Sequence, residues 1–176
     1  MRGAVTRLNS YPNQFDNAAW SKHASVTVEA DVATAPDGTL TADRLSGFSS
    51  ATPADRIWQF FALAPTTIDG GIWLKGEGAD IGKTVYVNLK RGAGATFAGS
   101  AVNITLTDSW QRALPGSFAM AADNTAAGIS VGNNSSGSNG AGSVLLWGGQ
   151  FRVGSTPGDL CLVNPTSTSQ TCAAET

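Results

Sequence analysis

Few side chains in this sequence have the types and spacing that covalent chemistry needs. The single histidine, His23, lies in a polar stretch just ahead of a strand-like run, with no nucleophile paired to it by motif. There is no GxSxG elbow, no HExxH, no phosphate-cradling Gly-Lys-Ser/Thr loop and no pair of zinc-type cysteine motifs. Among the 13 acidic residues the close groupings are three pairs: Glu29 with Asp31, Asp37 with Asp43, and Glu77 with Asp80. Paired carboxylates hydrolyse glycosidic bonds when they flank a groove, and bind calcium when they converge. Spacing alone does not separate either role from a solvated face. No catalytic residue, cofactor or metal ligand is therefore assigned, and the chain is expected to be non-enzymatic. Cys161 and Cys172 fit a local disulfide or two free thiols, and no further Cys or adjacent His completes a metal site.

Aromatic side chains offer the other chemistry, non-covalent stacking on sugar rings. Tyr11, Trp20 and Tyr86 are the residues that would serve as glycan contacts, with Asn and Asp side chains bonding the hydroxyls. Tyr11, Phe15 and Trp20 occur among the turn formers Asn13, Asp16 and Asn17, a pattern that also suits dropping Phe15 and Trp20 onto a core. Trp58, Trp73, Trp110 and Trp147 fall in four separate strand-like runs and read as core filling. Gly76, Gly78 and Gly82 in KGEGADIGK resemble a nucleotide loop only superficially, because no helix follows. A hairpin connection accounts for them.

The elements that must position these residues are strands. Residues 144–153 (VLLWGGQFRV) run four apolar residues into a Gly-Gly pair and then an alternation, which predicts a central strand bent or bulged at the glycines. Residues 24–33 alternate with a period of two, and residues 41–48 are short and strand-like. Residues 55–64 fit a strand or a buried helix, limited by Pro53 and Pro65. Residues 71–75 and 83–90 are clear strands, and in the latter Thr84, Tyr86, Asn88 and Lys90 share the face opposite Val85, Val87 and Leu89. GAGATFAGSA, between Arg91 and Val102, reads as a flexible loop. Strands are expected over 102–106, 110–114, 116–122 and 128–131, and GNNSSGSNGAG at 132–142 as a low-complexity loop. About nine strand candidates separated by Gly, Pro, Asn and Asp turns predict an all-β fold with few or no helices, an antiparallel two-sheet β-sandwich of jelly-roll type. Residues 1–10 read as an N-terminal arm or edge strand, 11–159 as the jelly-roll domain and 160–176 as a Ser/Thr/Pro-rich tail.

Composition narrows the partners. The 176 residues are 41% hydrophobic but only 14% charged, against about 25% for an average soluble protein, so small neutral groups fill the surface. A net charge of -2 without a basic cluster gives no reason to expect nucleic acid. No segment has the length of an apolar membrane span, so no membrane partner is expected. The N-terminus lacks a signal-peptide core, so the chain is expected to begin at or near Met1.

Five blocks carry a resemblance: QFDNAAWSK, APDGTLTADRL, GIWLKG, LTDSWQR and LLWGGQFRVGSTPGD, in that order from Gln14 to Asp159. The chain is similar to the carbohydrate-binding-module-like jelly-roll domains of bacteriophage tail fibres, head fibres and decoration proteins. The resemblance implies a non-enzymatic sandwich on the virion surface, assembled in the host cytoplasm. A domain standing almost alone favours a capsid decoration or cement protein, bound to the major capsid protein or another virion protein from outside, with a homo-oligomer, trimers included, as the expected assembly. The alternative is a receptor-binding or glycan-adhesion module of a tail or head fibre, whose partner is a host-surface glycan.

Overall fold

The strand picked out by its apolar run is β12, Ser143–Val153, and it is central. In the computed structural model, which describes residues 5–48, 55–93, 96–133, 140–154 and 170–172, every strand pairing is antiparallel apart from one isolated bridge from Thr84 to Gly140. The strands in chain order are β1 (Val5–Arg7), β2 (Ser21–Lys22), β3 (Thr27–Thr34), β4 (Leu40–Ser46), β5 (Asp55–Ala62), β6 (Thr67–Lys75), β7 (Thr84–Ala93), β8 (Thr96–Thr105), β9 (Gln111–Ala113), β10 (Phe118–Ala119), β11 (Ala126–Asn133), β12 and β13 (Gln170–Cys172). They form two sheets. The eight-stranded sheet runs β10-β6-β12-β1-β13, with β9 also on β6, β4 on β12 and β3 on β4, and the five-stranded sheet runs β2-β5-β11-β7-β8. This is the all-β two-sheet sandwich expected from the spacing of turns.

The Gly-Gly break has a definite job. Residues 143–146 of β12 pair with β4, Arg152 pairs with β1, and the register against β6 shifts between Trp147 and Gln150. The bulge is thus where β12 changes partner. Gly148 takes φ 63, a left-handed angle that glycine adopts without a Cβ clash. Gly149 is small for a different reason: a Cβ there would lie 3.2 Å from Phe15 Cε1 and 3.3 Å from Trp20 Cη2. The main chain freed by the bulge is satisfied by the 9–13 loop. Gly148 N donates to Asn13 Oδ1, Gly149 N to Pro12 O, and Phe151 N to Asn9 Oδ1, while Asn9 Nδ2 donates to Gly149 O.

Between the sheets lies the core, built from alternate residues of each strand: Ile68, Ile72 and Leu74 of β6, Val144, Leu146 and Phe151 of β12, Ile57 of β5, Val85, Val87 and Leu89 of β7, Ile129 and Val131 of β11. Phe15 and Trp20 join it, their ring centroids 4.8 Å apart. Trp147 is buried but sits outside this core. It faces the other side of the eight-stranded sheet, against Ala35, Ala42, Trp73 and Trp110, with its Nε1 donating to Thr41 Oγ1. A period of two cannot say which buried face a tryptophan occupies when both are covered.

Local expectations are settled or corrected by the pairing. Of the two forms open to residues 55–64, the strand is the one observed, over Asp55–Ala62. The stretch expected as a flexible loop after Arg91 is mostly the β7–β8 hairpin, paired from Thr84–Thr105 to Ala93–Thr96. Small residues give no strand signal there, and the cross-strand ladder decides it. KGEGADIGK connects β6 in one sheet to β7 in the other, so it is a crossover and not a hairpin, with a single 3-10 turn at Gly78–Asp80. The eight-stranded sheet also takes in chain from both ends: β1 lies between β12 and β13, and β13 comes from the stretch expected as a tail. Cys161 and most of the 132–142 loop lie outside the described residues.

Candidate functional site

Alternation fixes what the five-stranded sheet shows on its outer side. Ile57 and Gln59 of β5, Val85, Val87 and Leu89 of β7, and Ile129 and Val131 of β11 are buried. Their neighbours in sequence point the opposite way. The register then arranges the outer face in rows across the strands: Trp58, Ser130, Asn88, Ala101; Phe60, Gly128, Lys90, Gly99; and Gly132, Tyr86, Asn103. Rows are separated by roughly 7 Å along the strands, and neighbouring strands by about 4.8 Å.

This outer face therefore sets three aromatic side chains, Trp58, Phe60 and Tyr86, beside the small residues Gly128, Ser130 and Gly132. Trp58, Phe60 and Tyr86 are half-buried. Gly128 makes room for Phe60: a Cβ there would lie 2.0 Å from Gln59 O and 2.2 Å from Phe60 Cδ1, so only glycine lets the ring approach β11 this closely. Gly99 does the same for Asn88, whose Oδ1 would sit 2.6 Å from an added Cβ. Asn88 is 6% exposed and its Oδ1, packed beside Gly99, accepts no hydrogen bond among the described residues. Ser130 beside it is fully buried, and Asn103 is exposed.

The residues singled out by type fall in different places. Tyr86 is on this face. Tyr11 is in the loop after β1, at φ 49, packed against the core. Trp20 is 2% exposed, its ring tilted 46° against Phe15 and its Nε1 donating to Tyr11 O, so its ring is used by the fold. Trp58, which by its place in a strand-like run reads as core filling, stands on the open face instead, and Phe60, Asn88 and Lys90 join it there without having been marked by type as contacts. Trp58 and Phe60 have the i, i+2 spacing that puts two rings on one strand face, and Asn88 and Lys90 share the parity of Tyr86. Those spacings are the available signal, but nothing in them says which face of the strand is covered.

The carboxylates do not converge. Glu29 and Glu77 both pair with Arg44, at 2.7 and 2.9 Å, on the other sheet. Asp37 caps its own turn through Thr39. Asp80 accepts from Gly142 N, Ser143 N and Ser143 Oγ, tying the crossover to the start of β12. Asp43 is buried beneath the loop before β2, accepting from Phe15 N at 2.7 Å and Asp31 N at 3.0 Å, and burial pushes its pKa up to about 6. His23 bonds Ser25 locally at the surface. Among the described residues no three His, Cys, Asp or Glu side chains are grouped to hold a metal ion.

No known family profile matches the chain, and no curated protein does. Solved structures do. The CBM22-1 xylan-binding domain of Paenibacillus barcinonensis Xyn10C superposes with a TM-score of 0.65 at 13% identity, over 89% of this chain and 99% of that one. A family 16 carbohydrate-binding module gives 0.56 at 19%, over 82% and 98%. The chain shares the jelly-roll sandwich of carbohydrate-binding modules. The enzymatically active domain of bacteriophage CBA120 tailspike protein 4 also matches, with a TM-score of 0.54 at 15% identity; 83% of this chain is covered but only 21% of that one.

Proposed function

We propose that this chain is a glycan-binding module, that its binding surface is the outer face of the five-stranded sheet, and that it serves as an adhesion module on a phage tail or head fibre. One observation carries the binding reading: the half-buried Trp58, Phe60 and Tyr86 share one outer sheet face with the small residues Gly128, Gly132 and Ser130. Sugar rings stack on aromatic faces through their C–H bonds, while the Asn103 amide and the Lys90 ammonium on the same face bond the hydroxyls. The shared sandwich fold of modules named for carbohydrate binding supports this, as does the resemblance of the five ordered blocks to phage particle domains.

Nothing in the comparisons speaks for capsid decoration, and the small neutral residues that suggested it include the glycines beside the aromatic side chains of the outer face. The test is a glycan array followed by titration calorimetry of the purified chain, with xylan oligosaccharides among the ligands. Binding that is weakened at least about 30-fold in Trp58→Ala, with the circular dichroism spectrum unchanged, is the expected result. A wild-type chain that binds no glycan but does bind empty capsids overturns the proposal.

A further inference from the structure

The opposite side of the sandwich carries buried polar groups of its own, unrelated to the aromatic face. On the outer side of the eight-stranded sheet, Arg7 of β1 pairs in register with Arg152 of β12, which pairs in turn with Asp69 of β6. Asp69 is committed: its Oδ1 accepts from Arg152 Nε at 2.7 Å and its Oδ2 from Arg152 Nη2 at 3.0 Å, both side chains being 3% exposed. Arg7 is fully buried, yet Nε, Nη1 and Nη2 donate to nothing among the described residues. Gln150, 1% exposed, has the same deficit at both Oε1 and Nε2. Two residues before Arg152 on β12, it is the diagonal neighbour of Arg7 on the same face, with backbones roughly 7–8 Å apart and side chains long enough to meet on one ligand atom group.

Buried guanidinium groups are neutralised almost without exception, because removing the charge from water costs several kcal/mol that only an opposite charge recovers. Here the cross-strand neighbour is a second arginine, which adds repulsion. Burial lowers the pKa of Arg7, but a guanidinium keeps its proton at any ordinary pH. A planar fork of three donors matches the two oxygens of an oxyanion, and the Gln150 amide supplies a fourth donor beside it.

We propose that the outer face of the eight-stranded sheet binds a small oxyanion between Arg7 and Gln150. With Arg7 and Gln150 at 0% and 1% exposed, the site takes a compact group, such as a free carboxylate or phosphate or the acid group of a uronic sugar. Such an ion stabilises the fold by binding the native state alone, and it ties β1, the strand nearest the N-terminus, to β12.

The experiment is thermal unfolding of the full chain in acetate, phosphate and glucuronate, each against chloride at matched ionic strength. A saturable rise in Tm of roughly 5–10 °C at a hundredfold excess over Kd is expected for the wild type. Arg7→Met loses that rise, while in chloride alone it unfolds at the same temperature or higher, since an unneutralised charge has gone. Response to acetate and phosphate but not glucuronate means a free ion, and response to glucuronate as well means an acidic sugar. If Arg7→Met does not fold, Gln150→Leu and the shift of the Arg7 Nε–Hε resonance on titrating the wild type give the same readout. A wild type that responds no more to oxyanions than to chloride, or an Arg7→Met variant that keeps the full response, overturns the proposal.

Discussion

Asp43→Asn isolates one buried carboxylate and makes its effect measurable. Asp43 is fully buried, and its two oxygens hold Phe15 N and Asp31 N, fixing both the aromatic loop and the left-handed Asp31 at φ 56. Desolvation is the largest influence on it and raises its pKa to about 6; the two backbone donors oppose that, and Asp16 and Asp31 add to it. The unfolded chain titrates near 3.9. Between those values the folded state holds a proton that the unfolded state has lost, so stability falls as pH rises from about 4 to about 6 and is level above. Two pKa units are worth at most about 3 kcal/mol. Asparagine has no such titration, though it turns one acceptor into an amide that cannot serve a backbone N–H, costing about 1–3 kcal/mol at every pH. Urea unfolding of both proteins from pH 4 to 7.5 supplies the check, because every other carboxylate cancels in the difference. The wild type's advantage should shrink by about 2–3 kcal/mol across that window. Parallel curves would refute the reasoning and mean that Asp43 is ionised throughout.

Three further outcomes follow from the same geometry. Trp58→Ala should weaken glycan binding at least about 30-fold, the loss of a central aromatic contact of about 2 kcal/mol, read by calorimetry. Asp69→Ala removes the carboxylate that takes two hydrogen bonds from the buried Arg152 and should destabilise by about 3–5 kcal/mol in urea unfolding, whereas the exposed partner Glu29→Ala at Arg44 should cost under about 1 kcal/mol. Gly149→Val places methyl groups into the Phe15–Trp20 pair, already 3.2–3.3 Å from an added Cβ, and should cost about 1–3 kcal/mol with a red shift of Trp20 fluorescence.

The strands are legible in the sequence where a side-chain period speaks for itself. Val85, Val87 and Leu89 against Tyr86, Asn88 and Lys90 make β7 a two-faced strand by their alternation alone, and the apolar run ending in Gly148 and Gly149 marks both the central strand and its bulge. Turn residues at short intervals are enough for an antiparallel sandwich, because each strand's length is bounded by its breakers. The β7–β8 hairpin is not legible, because glycine and alanine carry no periodic signal. On the candidate face, Tyr86 stands out by type, whereas the place of Trp58 in an apolar run points to the core.

That last division has a physical cause. Alternation is a property of one strand, so local sequence alone determines that Trp58 and Phe60 lie opposite Ile57 and Gln59. Whether their side meets the second sheet or the outside depends on strand pairing over long separations, as in β5 with β11 and β11 with β7. The same holds for burial of Trp20, for Arg44 shared between Glu29 and Glu77, and for Arg7 set beside Arg152 from the far end of the chain. The sequence by itself determined most of the strands, their breaks and the fold class; only the tertiary structure decided which aromatic side chains and which charges are buried, because both depend on residues brought together from distant parts of the chain.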